Sequence, residues 1–181
     1  MWYNSKLDYS LCEVRAMVIL GIDPGIAIVG WGVLEFNGTR FRPLGFGSIE
    51  TPADMPTEAR LVEIYQGMTE LIETYKPDCM AVEELFWNTN QTTGIRVSEA
   101  RGVILLAGAE RKIPIHEYTP LQVKQAVVGY GRADKKQVIT MVTMLLNLAK
   151  PPKPDDTADA LAVAICHGHS GASRLTGYYN K

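Results

Sequence analysis

The chain has 181 residues, with 18 basic and 20 acidic side chains, three His, 46% apolar content and a formal charge of −2. A chain of this size buries roughly 70% of its unfolded surface, so one domain with a real core is expected, and a disulfide miniprotein or a disordered tail is excluded. A sequence pI near 5.9 weighs at first against DNA, whose phosphates call for an excess of Lys and Arg.

The three cysteines, Cys12, Cys79 and Cys166, form no C-x-x-C pair and cannot all close disulfides, which fits a reducing cytoplasm. Asp8 and Glu13 interrupt the apolar positions of residues 1–16, so these lack the uninterrupted core of a signal peptide. The longest apolar runs fall far short of the ~18 residues that a membrane span requires. The first well-patterned strand opens at Met17. Residues 1–16 are therefore read as an extension outside the fold, 17–170 as the domain and 171–181 as a C-terminal tail.

Met17–Asp23 is a short β-rich apolar run stopped by Pro24-Gly25, the pattern of a buried strand ending in a tight turn. Residues 26–36 and Phe41–Glu50 are two further strands, separated by Asn37-Gly38, a dipeptide that favours primed hairpin turns. The period then changes. Leu61, Ile64, Tyr65, Met68, Leu71, Ile72 and Tyr75 recur at spacings of three and four, predicting an amphipathic helix that stops before Pro77. Residues 79–84 return to strand, 95–112 to helix and 113–118 to strand. Thr119-Pro120 supplies an N-cap and first helical residue, and helices over 134–149 and 155–169 are divided by a Pro-rich linker. The order βββαβαβ followed by helices implies an α/β fold. Its mixed five-stranded sheet has three antiparallel strands, then parallel ones, with helices on both faces.

Four carboxylates stand where a solvated charge would be unusual. Asp23 closes the first strand and Glu83 the fourth, and neighbouring parallel strands bring such ends together at the edge where α/β sheets hold their sites. Asp156 and Asp159 open the last helix three residues apart, on one face. Taken singly, Asp23 is an ordinary turn residue and Asp156 an ordinary helix cap. The adjacent Glu83 and Glu84 face opposite sides of a strand, so the sequence leaves open which one points into the site. Clustered without a partner, the four would repel one another. A hard divalent cation removes that conflict, and an all-oxygen set suits Mg²⁺ or Mn²⁺, with room for two ions about 4 Å apart as in phosphodiester hydrolysis.

Five segments carry a resemblance. Gly21-Ile22-Asp23-Pro24-Gly25, Ala81-Val82-Glu83-Glu84-Leu85-Phe86, Ala100-Arg101-Gly102-Val103, the stretch from Val123-Lys124-Gln125 to Gly129, and Asp156-Thr157-Ala158-Asp159-Ala160-Leu161-Ala162 resemble the RuvC family of Holliday-junction resolvases in order and spacing. The last two are much more specific than Asp-Pro-Gly alone. The resemblance implies a ribonuclease-H-like fold, a homodimer, Mg²⁺ dependence and paired nicking of four-way DNA junctions in recombination and repair. It makes Asp23, Glu83, Asp156 and Asp159 the metal-binding catalytic set. Asp23 is then expected to bridge two Mg²⁺, with the product a 5′-phosphate and a 3′-hydroxyl. The substrate's symmetry also calls for a two-fold enzyme with two sites, and branch-migration proteins on the same junction are the implied partners.

DNA contact rests on Phe86, Lys124, Lys135 and Lys136. Phe86 is favoured by the resemblance as a residue stacking on an unpaired base, worth about 1 to 3 kcal/mol, whereas Trp87 is read as core edge. Lys124 lies in a matched motif and Lys135 and Lys136 open the next helix, where phosphate contact is the reading that follows from the family. The polar stretch 88–94 suits phosphates or base edges. His167 and His169 point to different helix faces and His116 stands alone in a strand, which does not suit a zinc site.

Three other readings share parts of this pattern: a ribonuclease-H-like nuclease acting on hybrids or single strands, a sugar-kinase or actin-like ATPase, and a non-catalytic DNA-binding scaffold. The ATPase class duplicates the fold and carries a second Gly-rich phosphate loop, and neither is present. The charge objection weakens when the chain is divided. Residues 96–153 carry ten basic against four acidic side chains, while residues 1–95 carry six against thirteen. The middle segment is thus a candidate DNA face, bound metal would add positive charge beside it, and junction binding should weaken as salt rises.

Overall fold

A computed structural model describes residues 16–85 and 91–175, with the backbone alone at 91–93 and 171–175. Five strands, β1 (Met17–Asp23), β2 (Ile28–Phe36), β3 (Phe41–Glu50), β4 (Cys79–Glu83) and β5 (Ile115–Tyr118), form one sheet in the order β3-β2-β1-β4-β5. The first three pair antiparallel, and β4 and β5 lie parallel to β1. The expected mixed sheet is therefore the one that forms.

Alternation along β1 and β4 divides the core into two layers. Leu20, Ile22, Met80 and Val82 face α1 (Thr57–Tyr75) and α2 (Gln91–Glu110). Ile19, Cys79 and Ala81 face α3 (Pro120–Val128), α4 (Lys135–Leu145) and α5 (Asp155–Leu175). Helices cover both faces, and α1 buries Arg60, Ile64, Met68 and Ile72 along a single stripe at i, i+4 spacing.

Several boundaries differ from the sequence reading for local reasons. Strand β2 begins at Ile28 because the residues before it are engaged elsewhere. The Ile26 carbonyl accepts from the Thr51 hydroxyl at 2.6 Å and from the buried Arg60 guanidinium at 3.1 Å, while the Thr51 N–H donates to Ala27. Asn37-Gly38 does not make a primed two-residue turn. Gly38 alone of the pair has a positive φ, and the Asn37 side chain accepts from the N–H groups of Thr39 and Arg40, so a four-residue loop joins the paired Phe36 and Phe41. Pro43 sits in β3 beside a register shift, tolerated because β3 is an edge strand. Helix α4 stops at Leu145 rather than 149, since Asn147 turns left-handed (φ 50°) and Leu148 donates back to Thr143. Helix α5 continues past 169 to Leu175. The Thr119-Pro120 start holds as read, with Thr119 and Gln122 forming a reciprocal capping box.

Candidate active site

The same alternation that builds the core places the carboxylates. Asp23 follows Ile19 and Gly21 on the α5 face of β1, and Glu83 follows Cys79 and Ala81 on that face of β4. Ile22 pairs in parallel with Val82, so Asp23 and Glu83 leave the sheet side by side at its C-terminal edge, joined by a side-chain hydrogen bond. Glu84, one residue on, lines a separate pocket with Leu85, Ser98, Arg101 and Glu117. That settles which of the two glutamates faces Asp23.

Helix α5 brings the second pair. Its first turn lies against the sheet at unusually short range, because the strand residues beneath it are glycines. A Cβ at Gly30 would stand 2.1 Å from the Asp156 carbonyl, and one at Gly21 would stand 2.2 Å from the Ala160 carbonyl. Gly30 is the cross-strand partner of Asp23, so the close approach sets Asp156 directly over the strand pair that carries Asp23. Asp159, one turn along, has its Oδ2 3.0 Å from Lys135 Nζ at the start of α4.

The electrostatics record the crowding. Burial, reinforced by the charges of Glu83, Asp159 and Asp156, holds the Asp23 carboxyl well above its ordinary range. Burial also raises Glu83, with Asp159 adding to the effect and the Asp23 hydrogen bond, Lys124 and Lys135 opposing it. Asp159 is raised chiefly by burial and partly relieved by Lys135. For Lys135 burial works against the charge, but the hydrogen bond and charge of Asp159, with Asp156 and Asp155 behind it, prevail and raise it. Among the described residues, no three His, Cys, Asp or Glu side chains are gathered to hold an ion as they stand. Asp23 and Glu83 satisfy each other, and Lys135 neutralises Asp159. The chemistry of the donor set nonetheless fits a hard divalent cation: all ligating atoms would be carboxylate oxygens, and their mutual repulsion is what such a charge relieves.

Lys124 is half-buried on α3 within electrostatic reach of Glu83, and Lys135 touches the site directly. Lys136 is exposed beside Lys135 on α4. Phe86, Trp87 and most of the polar stretch after them lie outside the residues whose side chains are described. The sequence reading missed the glycines under α5, although Gly30 and Gly32, two apart in a strand, signal one shared smooth face. It also left His116 isolated. The structure sets that ring at a tilt against His167, centroids 4.5 Å apart, while His167 contacts the Tyr118 hydroxyl at 2.7 Å and the free thiol of Cys79 at 3.2 Å.

A mixed βββαβαβ sheet with carboxylates at the ends of its first and fourth strands, completed by a helix that crosses it, defines a ribonuclease-H-like nuclease. The family-wide sequence pattern described as "Crossover junction endodeoxyribonuclease RuvC" matches residues 19–167. A protein of that name from Alkaliphilus metalliredigens is 61% identical over 155 residues, 86% of this chain and 94% of the relative. A solved structure described as "T. thermophilus RuvC in complex with Holliday junction substrate" superposes with a TM-score of 0.83 at 36% identity, covering 87% of this chain and 96% of the other. The yeast mitochondrial Holliday junction resolvase Ydc2, at 16% identity and a TM-score of 0.64 over 92% of this chain and 83% of its own, shares the fold. This chain belongs to the RuvC family of crossover junction endodeoxyribonucleases. Membership makes it a hydrolase acting on DNA with divalent metal ions. None of the helices among the described residues is long and apolar enough to cross a membrane.

Proposed function

We propose that this protein resolves four-way DNA junctions in recombination and repair. It does so by paired symmetric nicks that leave 5′-phosphate and 3′-hydroxyl ends, with Asp23, Glu83, Asp156 and Asp159 as its catalytic and metal-binding residues. The observation that carries the reading is the convergence on Asp23: the charges of Glu83, Asp159 and Asp156 all act on its buried carboxyl. Such crowding weakens a fold unless a cation uses it. The four carboxylates would hold two Mg²⁺, for which Mn²⁺ can substitute. When bound, the ions lower the pKa of the attacking water and stabilise charge on the leaving 3′ oxygen.

The remaining steps belong to the chain. Asp23 and Glu83, fixed on two hydrogen-bonded strands, keep their oxygens at one edge of the sheet, and the N-terminal end of α5 brings Asp156 and Asp159 over them. Lys124, Lys135 and Lys136 lie along α3 and the start of α4, where they would draw the phosphodiester backbone against the carboxylates. Phe86 follows three residues after Glu83 and would stack on an unpaired base at the crossover.

Two matched cuts call for a homodimer. The exposed apolar positions Ile95 and Leu106 on α2, the second of which lines a groove with Gly102, Leu105, Ala109, Ile115 and Glu117, support α2 as its contact face. A branch-migration helicase complex acting on the same junction is the proposed partner. Residues 17–170 form the nuclease domain in this reading, with 1–16 and 171–181 outside it; the family match over 19–167 supports the core of this division, while α5 carries the backbone on to Leu175. The buried free thiols Cys79 and Cys166 suit a cytoplasmic setting.

The test is incubation with Mg²⁺ and labelled four-way junction, linear duplex or RNA–DNA hybrid. Symmetric nicks confined to the junction are expected. Hybrid cleavage alone would transfer support to another ribonuclease-H-like activity, and binding without any cleavage to a scaffold.

A further inference from the structure

We propose that Thr157 is a positioning residue that sets Asp156 and Asp159 over Asp23 by tying the first turn of α5 to the edge strand β3. The inference rests on the reading that these carboxylates hold metal. Thr157 lies between the two aspartates, is fully buried, and donates its hydroxyl to the Gly47 carbonyl at 3.0 Å, across 110 residues of sequence. Its N–H donates to the Pro154 carbonyl at 3.1 Å, so backbone and side chain anchor the turn in different directions.

The geometry explains why an anchor matters here. At Gly30 the sheet offers no side chain to stop the helix, and the Asp156 carbonyl and Thr157 N both crowd the space that a Cβ would fill. Glycine allows the approach without fixing where along the sheet the helix comes to rest. The Thr157 hydroxyl supplies that reference. It reaches past β2 to Gly47, the cross-strand partner of Trp31, so the bond defines the position of α5 against β2 and β3 together. Removing it leaves a carbonyl short of its partner and frees the turn to shift. Metal affinity falls when oriented donors lose their support, typically 10- to 100-fold for an outer hydrogen-bonding partner.

The experiment is a titration of the full-length protein with Mn²⁺ alone, read by electron paramagnetic resonance, together with melting temperatures in chelator. Thr157→Val keeps the side chain's shape and loses the hydroxyl, whereas Thr157→Ser keeps the hydroxyl. The expected result is Mn²⁺ binding weaker by roughly tenfold in Thr157→Val, with Thr157→Ser close to wild type. A Thr157→Val protein that melts lower yet binds Mn²⁺ as tightly as wild type would overturn the proposal, since the hydroxyl would then serve stability alone. Should Thr157→Val not fold, Thr157→Ala, which removes the hydroxyl without adding bulk, carries the same test. Wild-type protein that binds Mn²⁺ but leaves junctions intact would count against the proposed function and not against Thr157. Wild-type protein that binds no Mn²⁺ would overturn both.

Discussion

Lys135 Nζ stands 3.0 Å from Asp159 Oδ2, linking the first residue of α4 to the start of the second turn of α5. The lysine is half-exposed, so the pair adds little to stability, about 0 to 1 kcal/mol. Its interest is functional, because one ammonium competes with metal for a carboxylate and is also placed to meet a phosphate. Lys135→Met keeps most of the stem and removes the charge. The variant should bind the junction more weakly, with a salt dependence shallower by about one counterion, while its metal affinity rises. Calorimetry with Mn²⁺ and junction binding at two salt concentrations check both signs.

The carboxylate cluster should make the metal-free protein less stable at neutral than at mildly acidic pH. Asp23 is held above its ordinary range by burial and by Glu83, Asp159 and Asp156, and Glu83 and Asp159 are raised as well. A carboxyl that binds its proton more tightly when folded weakens the fold as pH climbs from the ordinary carboxylate value through the raised one. Asp23→Asn should therefore melt at least about 2 °C higher than wild type in chelator at neutral pH. The gap should narrow as the pH falls below the carboxylate range. Mg²⁺ should raise the melting temperature of wild type more than that of the variant.

Gly30→Ala tests the close contact between sheet and helix. Its new methyl would meet the Asp156 carbonyl at 2.1 Å, so α5 must move away. Overpacking of this kind costs about 1 to 3 kcal/mol, and the displaced helix carries two of the four carboxylates. Urea unfolding should show that loss, and cleavage should fall further than the lost stability explains.

Leu106→Arg tests the dimer. Leu106 is 53% exposed and borders the groove along α2, so a charge there should leave the fold intact and convert a dimer to a monomer. Sedimentation velocity reads the change directly, and paired nicking should become single nicking. A variant that sediments as wild type would move the interface elsewhere.

What could be read from the sequence was what local chemistry decides. Asp-Pro-Gly ends β1 where expected, and Thr119-Pro120 starts α3 where expected, because a turn or a cap is settled by its own residues. That Asp23 and Glu83 end neighbouring parallel strands was legible too, whereas which of Glu83 and Glu84 faces the site was not. The end of α4 did not, since the apolar pattern runs on through Leu146 and Leu148 while Asn147 breaks the helix. The turn at Asn37 also escaped, because its side chain captures the N–H groups of Thr39 and Arg40. Least legible was the approach of α5 to the sheet. It depends on side chains that glycine lacks and on a bond from Thr157 to Gly47, whose separation in the chain hides their contact.

Metal-dependent cleavage of a four-way junction by Asp23 and its three companions is the activity proposed for this protein. It is tested most directly by mapping nicks on all four labelled strands of a junction incubated in Mg²⁺ with wild type or with Asp23→Asn. Wild type should nick two opposed strands symmetrically, with the variant still binding the junction and leaving every strand whole. Nicking by Asp23→Asn at the wild-type rate would contradict it.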